Sequence, residues 1–207
     1  MFLFASGQAA ALTLADLNDG EVFDSGNGQL TFTFDVGSIV LSGALNSNLA
    51  NYEVVILGDG FEIVGPIGVA DGNVGDIQID YHVNGKSGAL IEAAALYFNG
   101  AAFGLGSLAN VVEDFFSGGG LVGDMLVAVS GGGISLKQDD ADLSPGFAEL
   151  AVRKDIQVIS SAPAQMATIS VIAQRFSVPE PGSVVLASAG VFGLLVLGRP
   201  RRHRITN

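Results

Sequence analysis

Hydrophobic and polar residues alternate along much of this chain, with the two-residue period that is typical of half-buried β-strands. In residues 30–36, leucine, phenylalanine and valine alternate with threonine and aspartate, and residues 77–84 repeat this pattern with isoleucine, tyrosine and valine. Further segments with a strand-like composition are residues 53–57, 61–64, 90–98, 125–129, 147–152, 156–159 and 166–176. The pattern therefore predicts a chain that consists mainly of β-strands.

Glycine, aspartate and asparagine separate these segments, as expected for turns between short strands. Asn84-Gly85 is a favoured two-residue hairpin turn, because both positions tolerate a positive φ. Many short strands at such spacing favour an antiparallel sandwich. We therefore predict an all-β, antiparallel β-sandwich-like domain over residues 12–177.

One segment departs from the alternation, because residues 107–116 carry Leu108, Val111 and Phe115 at helical spacing and so predict a helix. The preceding residues 104–109 fit the G-x-G-x-x-A variant of a dinucleotide-binding loop. That fingerprint also requires alternating strands and helices, whereas the next segments are glycine-rich and strand-like. A flexible turn is therefore the better interpretation of residues 104–109.

The last thirty residues are organised differently from the rest of the chain. An uncharged apolar run covers residues 182–198, and the basic residues after it are Arg199, Arg201, Arg202 and Arg204. At about 1.5 Å per residue the run gives about 25 Å of helix, near the lower limit for crossing a hydrocarbon core of about 30 Å. Basic residues beside a span are retained in the cytoplasm, so we expect a single transmembrane helix with residues 1–181 outside. A buried core helix is the alternative, but it would not need four arginines after it.

The tail, residues 178–207, closely resembles the PEP-CTERM sorting signal. The matching motif is Val178, Pro179, Glu180 and Pro181, and the apolar run and the arginine-rich end follow it. The resemblance implies recognition by exosortase, a cysteine transpeptidase-like membrane enzyme of Gram-negative bacteria. It also implies cleavage near the motif and delivery to the cell surface or an exopolysaccharide matrix. The two prolines disfavour helix just upstream, which would keep the motif extended and accessible.

A looser resemblance lies upstream of the motif, in residues 154–156, 167–170 and 174–177. It implies that the chain belongs to a group of such proteins with a β-rich body. At the other end, residues 1–11 are apolar and finish in small residues, but they lack a basic region and a full apolar core. We interpret them as a truncated signal peptide with cleavage near Ala11. An ordinary first strand is the alternative.

The distribution of charge agrees with export. Residues 1–198 contain five basic and 21 acidic residues, a net charge of −16. A body this negative does not neutralise phosphates, so nucleic acid is not an expected partner. It would also be repelled by anionic lipids and polysaccharides unless divalent cations bridge them. The chain has no cysteine, which excludes disulfides, thiolate metal sites and a cysteine nucleophile.

Candidates for catalysis and metal binding are few. A Ser-His-Asp arrangement in the body would have to use His82, but no nucleophile-elbow motif accompanies any serine. We therefore predict no catalytic residue and no enzyme, although paired carboxylates stay open because sequence spacing does not give their separation. Asp139, Asp140 and Asp142 are weak candidates for calcium ligands, with a solvated turn as the alternative. No other cofactor is expected.

The expected function is that of an exported cell-surface or matrix protein whose body is a structural or interaction module. It would reside transiently in the inner membrane, with exosortase, the membrane and exopolysaccharide as expected partners. The alternative is a calcium-assisted carbohydrate-binding module, although the sequence shows no aromatic platform for sugars, with no tryptophan and three tyrosines. A secreted hydrolase is the third hypothesis.

Overall fold

The structure, a computed structural model, describes residues 11–45 and 47–179. These residues form two antiparallel β-sheets around one hydrophobic core, which confirms the predicted all-β, sandwich-like body. Sheet A has the strand order β1 (Leu12–Thr13), β4 (Glu53–Ile56), β5 (Gly60–Ala70), β13 (Met166–Ser177), β7 (Ile91–Phe103) and β11 (Gln138–Phe147). Sheet B has the order β10 (Ser135–Leu136), β9 (Gly120–Ser130), β8 (Leu108–Ser117), β12 (Glu149–Ile159), β6 (Val74–Gly85), β3 (Leu30–Gly43) and β2 (Val22–Asp24).

The chain passes from one sheet to the other at most of its connections after β5. Strands β5, β7, β11 and β13 belong to sheet A, whereas β6, β8, β9, β10 and β12 belong to sheet B. The consecutive strands β12 and β13 therefore lie in different sheets, each near the centre of its own. Their inward-facing side chains meet in the middle of the core, where Lys154 contacts Gln174.

Aromatic rings fill one half of the core between the sheets. Phe32 stacks on Phe23 with ring centroids 5.0 Å apart, and it meets the edge of Phe61 at 5.3 Å. Tyr81 stacks on Phe34 at 5.2 Å. Such pairs stabilise the core beyond the burial of their area. Much of the aromatic content of the chain is therefore used for packing and is not available on the surface.

A short helix, α1 (Leu14–Asn18), precedes β2 and was not predicted from the sequence. Its N-cap is Thr13, whose hydroxyl accepts a hydrogen bond from the Asp16 backbone N–H, while the Asp16 carboxylate accepts one from the Thr13 backbone N–H. This is a capping box. The hydrogen bonds from Thr13 lower the pKa of Asp16. Asn18 then accepts a hydrogen bond from the Ile39 N–H at 3.0 Å and attaches the helix to β3.

The helix predicted for residues 107–116 is wrong, since this segment forms strand β8 (Leu108–Ser117). Its buried residues are Ala109, Val111, Glu113 and Phe115, which alternate with the two-residue period of a strand. Glu113 obscures this period in the sequence, because a charged residue is expected at a surface position, whereas this one faces the core. Pairing with β9 and β12 on both sides outweighs the weak helical spacing.

The hairpin turn predicted at Asn84-Gly85 is also wrong. Both residues belong to the end of β6, where Asn84 pairs with Thr31 of β3 and with Glu149 of β12. A two-residue hairpin does join β8 and β9 at Gly118 and Gly119, which both have a positive φ, as this turn requires. Residues 104–107 form a turn between β7 and β8, as the preferred interpretation of that glycine-rich segment stated.

Two predicted strands, residues 147–152 and 156–159, are largely one strand, β12 (Glu149–Ile159). The charged residues 153–155 interrupt the apolar pattern, but Lys154 points inwards and is fully buried. Among the described residues, no helix has the length and apolar character needed to cross a bilayer. The proposed signal peptide, apart from Ala11, and the apolar run of residues 182–198 lie outside the described residues and stay predictions.

Candidate functional site

The outer face of sheet A, which points away from the core, carries the candidate site. Arg175 and Ser177 of β13 are exposed on this face, while the intervening Phe176 is buried in the core. Strand pairing aligns residues in three rows, two of which cross four strands and one of which crosses three. The rows are Glu62–Ala173–Tyr97–Gln138, Gly60–Arg175–Ala95–Asp140 and Ser177–Ala93–Asp142.

Small residues in the middle of these rows create a groove. Ala93 and Ala95 leave the centre of the face low, while Tyr97, Arg175 and Asp140 line the groove around them. The volume of the groove is about 630 Å³. This value is within the range of about 300–1,000 Å³ that is usual for small-ligand sites. A ligand here would lie over the alanines and contact the larger side chains.

Two loops form one end of the groove, and backbone hydrogen bonds hold them together. The β2–β3 loop contributes Asn27 and Gln29, and the β4–β5 loop contributes Asp59. The Asn27 backbone N–H donates to the Gly58 carbonyl at 2.9 Å, and the Phe176 N–H donates to the Asp59 carbonyl at 2.9 Å. These contacts join the two loops to each other and attach the β4–β5 loop to the end of β13, so their polar side chains occupy defined positions before a ligand arrives.

The polar side chains of the groove offer both donors and acceptors. Arg175 Nη1 lies 3.5 Å from Asp59 Oδ1, and both side chains are about half exposed. The Asn27 amide donates to Gln29 Oε1 at 3.1 Å, and Asp140 Oδ2 accepts a hydrogen bond at 3.1 Å from the amide of Gln138, which lies outside the groove. Arginine and amide groups retain further N–H donors in such pairs, and carboxylates retain acceptor positions. The groove can therefore hydrogen-bond a ligand rich in hydroxyl groups.

Tyr97 supplies the aromatic surface that was not evident from the sequence. It is half-buried on the outer face of β7, directly opposite Ala173 on one side and Gln138 on the other. The small Ala173 does not cover the ring. A phenol ring in such a place offers an apolar face for packing and a hydroxyl for hydrogen bonding.

The three calcium candidates do not converge on one point. Asp140 and Asp142 lie on the outer face of β11, whereas Asp139 points the other way and accepts a hydrogen bond from the Leu126 N–H of β9 at 2.8 Å. Asp142 accepts a hydrogen bond from the Ser144 N–H at 2.9 Å, and Ser144 holds the pKa of Asp142 below its usual range. Within the described part of the chain, no group of three or more acidic or histidine side chains is arranged to hold a metal.

His82 lies on the outer face of sheet B, whereas the groove lies on the outer face of sheet A. Its Nδ1 is 3.5 Å from Glu149 Oε1, with a half-exposed ring. The neighbouring strand positions carry Phe116 and Ala151, and no hydrogen bond from a described serine reaches this ring in the structure. The geometry places the Glu149 carboxylate beside the His82 ring and does not assemble a Ser-His-Asp arrangement around it.

The outer face of sheet B also carries a carboxylate with an unusual pKa. Burial, a hydrogen bond and charge repulsion from Asp76, and repulsion from Asp114 together raise the pKa of Asp155 to about 6. Arg153 does not relieve this repulsion, because its guanidinium pairs with Asp80 at 3.2 Å. The structure thus places several negative charges on one face of sheet B, where they repel one another.

The sorting motif is only partly within the described residues. Val178 is partly buried against the core at the end of β13, and Pro179 is exposed. Glu180, Pro181 and the four arginines lie outside the described residues.

The sequence did not indicate the groove, since Tyr97 and Arg175 come from segments 78 residues apart. Only the pairing of β7 with β13, which alternation does not reveal, brings them together.

No family model and no curated protein sequence matches the chain. Among solved structures, the chain is similar to TmCBM61 in complex with β-1,4-galactotriose, at 9% identity over 67% of this chain and 88% of that chain, with a TM-score of 0.34. It is similar to the enzymatically active domain of tailspike protein 4 of bacteriophage CBA120, at 12% identity over 74% of this chain and 20% of that one, with a TM-score of 0.32. CsCBM6-3 from Clostridium stercorarium in complex with cellobiose matches at 14% identity, over 76% of this chain and 93% of that chain, with a TM-score of 0.20.

Proposed function

We propose that the β-sandwich is a carbohydrate-binding module and that its ligand occupies the groove on the outer face of sheet A. The observation that carries this proposal is the groove itself, an alanine-floored depression of about 630 Å³ beside Tyr97 and Arg175. A sugar ring combines apolar C–H faces with equatorial hydroxyl groups. The apolar face would pack on the Tyr97 ring, and the hydroxyls would contact the arginine, amide and carboxylate groups.

The charge of the protein favours a neutral polysaccharide as the ligand. The groove has carboxylates at Asp59 and Asp140 but one guanidinium, that of Arg175. The chain from 1 to 198 has a net charge of −16, which raises the free energy of bringing an anionic polymer to its surface. Because Asp139, Asp140 and Asp142 do not converge, the proposed binding does not use calcium. This differs from the calcium-assisted module considered from the sequence.

Calorimetry with a panel of neutral oligosaccharides tests this function, with an anionic oligosaccharide in the same series. We expect binding to at least one neutral glycan. We expect Tyr97→Ala to weaken it by about tenfold, which corresponds to about 1.4 kcal/mol. Phe103→Ala is the matched control, because Phe103 is an exposed aromatic residue of the same strand that does not line the groove.

Two results would contradict carbohydrate binding at this groove. One is a lack of binding to every glycan of the panel by the folded wild-type protein. The other is equal affinity of wild type and Tyr97→Ala for a glycan that does bind. A loss of binding in Phe103→Ala instead would move the site to the opposite end of β7.

We further propose that this module is exported and sorted by its C-terminal residues. The support is the sequence of residues 178–207, in which Pro179-Glu180-Pro181 precedes an apolar run and four arginines. In this proposal residues 182–198 span the inner membrane, residues 1–181 lie outside the cytoplasm, and exosortase then cuts the chain near the motif. A carbohydrate-binding body released in this way would join the exopolysaccharide matrix outside the cell.

Mass spectrometry of the mature C-terminus tests the sorting proposal independently of sugar binding. We expect a terminus near residue 181 in cells that contain exosortase and an uncut tail in cells that lack it. Replacing Glu180 with alanine should leave the tail uncut, whereas replacing Asn207 should not. An uncut tail in cells with active exosortase would refute the proposal.

A further inference from the structure

Four polar side chains lie together in the centre of the core, between the two sheets. They are Tyr81 of β6, Glu113 of β8, Lys154 of β12 and Gln174 of β13. None of them has more than 1% of its surface exposed. Lysine and glutamate are almost never buried so completely without a specific partner. We call these four residues the core polar cluster.

Lys154 Nζ is the centre of the cluster. It lies 3.0 Å from Glu113 Oε1 and donates a hydrogen bond to Gln174 Oε1, also at 3.0 Å. The Tyr81 hydroxyl donates to Glu113 Oε1 at 2.7 Å. A carbonyl bond is about 1.23 Å long, so Nζ is no more than about 4.2 Å from the carbonyl carbon of Gln174. An amine, a carboxyl group and an amide carbon are therefore within reach of one another.

This arrangement is costly if its only role is structural. Glu113 Oε2 is buried and has no hydrogen-bond partner, which leaves an acceptor unsatisfied. The rings of Phe32, Phe34 and Phe61 contact the ring of Tyr81 and border the cluster on that side. Two opposite charges in such surroundings lose more hydration free energy than a well-packed apolar pair would. The cost suggests a use beyond packing.

We propose that Lys154 and Gln174 form an intramolecular isopeptide cross-link, with Glu113 as the catalytic residue. The Lys154 Nζ attacks the side-chain carbonyl carbon of Gln174, and a new amide bond forms between these atoms. The bond from that carbon to Gln174 Nε2 breaks, and one molecule of ammonia leaves. No oxidant or cofactor takes part, because an amine and an amide give a substituted amide and ammonia.

Glu113 serves as the proton carrier of this reaction. Its carboxyl group, with Oε1 3.0 Å from Nζ, gives the proton of its neutral form to the departing nitrogen and takes one from the attacking amine, so the group ends as it began. Burial lowers the pKa of Lys154 and raises the pKa of Glu113, so both groups shift towards their neutral forms. A neutral amine is the nucleophile that the attack requires. Folding supplies the proximity that makes the step unimolecular.

The cross-link would join the two sheets through their central strands. Lys154 lies in sheet B and Gln174 in sheet A, so the new bond would cross the core and close a covalent loop through the β12–β13 connection. A loop closed in this way restricts the unfolded chain, as a disulfide does. The chain has no cysteine, so a bond of this kind is its available route to a covalent staple.

Mass spectrometry of the full-length chain tests the proposal. We expect an intact mass lower than the sequence mass by one ammonia molecule. In a tryptic digest, the bond after Lys154 should resist cleavage, and the peptide from Lys154 to Arg175 should carry the loss. Cleavage at Met166 with cyanogen bromide should then leave the two halves of this peptide joined. Two separate halves, or full cleavage after Lys154 in folded wild-type protein, would overturn the proposal.

Three variants assign the roles within the cluster. Glu113→Gln should fold, as judged by circular dichroism, and its measured mass should equal its sequence mass. Cross-linking in this variant to the wild-type extent would overturn the role of Glu113. Lys154→Met removes the nucleophile, so the measured mass of this variant should equal its sequence mass. Tyr81→Phe retains all reacting groups, and we expect it to cross-link. If Glu113→Gln does not fold, the wild-type digest still decides whether the bond exists.

Discussion

Replacing Asp155 with asparagine tests the electrostatic account of the outer face of sheet B. Asp155 lies in β12 beside β6 and β8, where Asp76 and Asp114 face it from the two neighbouring strands. Partial burial, and after it these two carboxylates, raise the pKa of Asp155 from 3.8 to about 6. The folded state therefore binds a proton more tightly than the unfolded state does.

The sign of the pH dependence follows from this difference. Between pH 4 and pH 6 the folded protein holds more protons, so the free energy of unfolding decreases as the pH rises through this window. A shift of one pKa unit corresponds to about 1.4 kcal/mol, and solvent screening of this partly exposed group reduces the total effect to about 1 kcal/mol. Asp155→Asn removes the charge and should be more stable than wild type at pH 7 by about this amount.

Urea unfolding of both proteins at pH 4 and pH 7 measures the effect. We expect a stability difference of about 1 kcal/mol at pH 7 that nearly disappears at pH 4. Asp35→Asn is the control, because it removes the same charge from an exposed position in the irregular part of β3. The reasoning is refuted if Asp155→Asn is less stable than wild type at pH 7, or if its advantage is the same at both pH values.

Two further changes test how the core and the short helix are held. Phe32→Ala removes a ring that packs on Phe23 and Phe61, and thermal or urea unfolding should show a loss of about 3–5 kcal/mol, while a loss below 1 kcal/mol would contradict the packing described. Thr13→Ala removes the N-cap of α1 and should lower the free energy of unfolding by about 1 kcal/mol in the same assay, whereas Thr13→Ser should lower it little. Equal losses in the two variants would contradict the capping box.

The strand content of this protein could be predicted from its sequence, because most buried positions are apolar and alternate with polar ones. The errors share a physical cause. Glu113 and Lys154 point into the core, so each reads as a surface residue within a buried face and disrupts the apparent period. The first made β8 look helical, and the second divided β12 into two strands. Charged residues in a core are rare, and a pattern that assumes their absence fails where they occur.

The candidate groove could not be predicted for a different reason. Its residues belong to β7, β11, β13 and two loops, and only the order of strands in sheet A makes them neighbours. Hydrophobic alternation shows which side chains share a face of one strand, but it does not show which strands are adjacent. The sequence contains no tryptophan and three tyrosines, and the structure shows that one of these tyrosines, Tyr97, lies beside the alanine floor.

Strand β13 connects the two proposals, because its successive side chains face opposite sides of sheet A. Gln174 points into the core polar cluster, and Arg175 points into the groove. If both proposals hold, the two sites act independently at equilibrium, since no side chain belongs to both. Tyr97→Ala should then leave the ammonia loss complete, and Glu113→Gln should bind the same glycan with unchanged affinity at a temperature where it is folded. A glycan affinity that falls with Glu113→Gln would instead mean that the cross-link positions β13, and that the core sets the geometry of the groove.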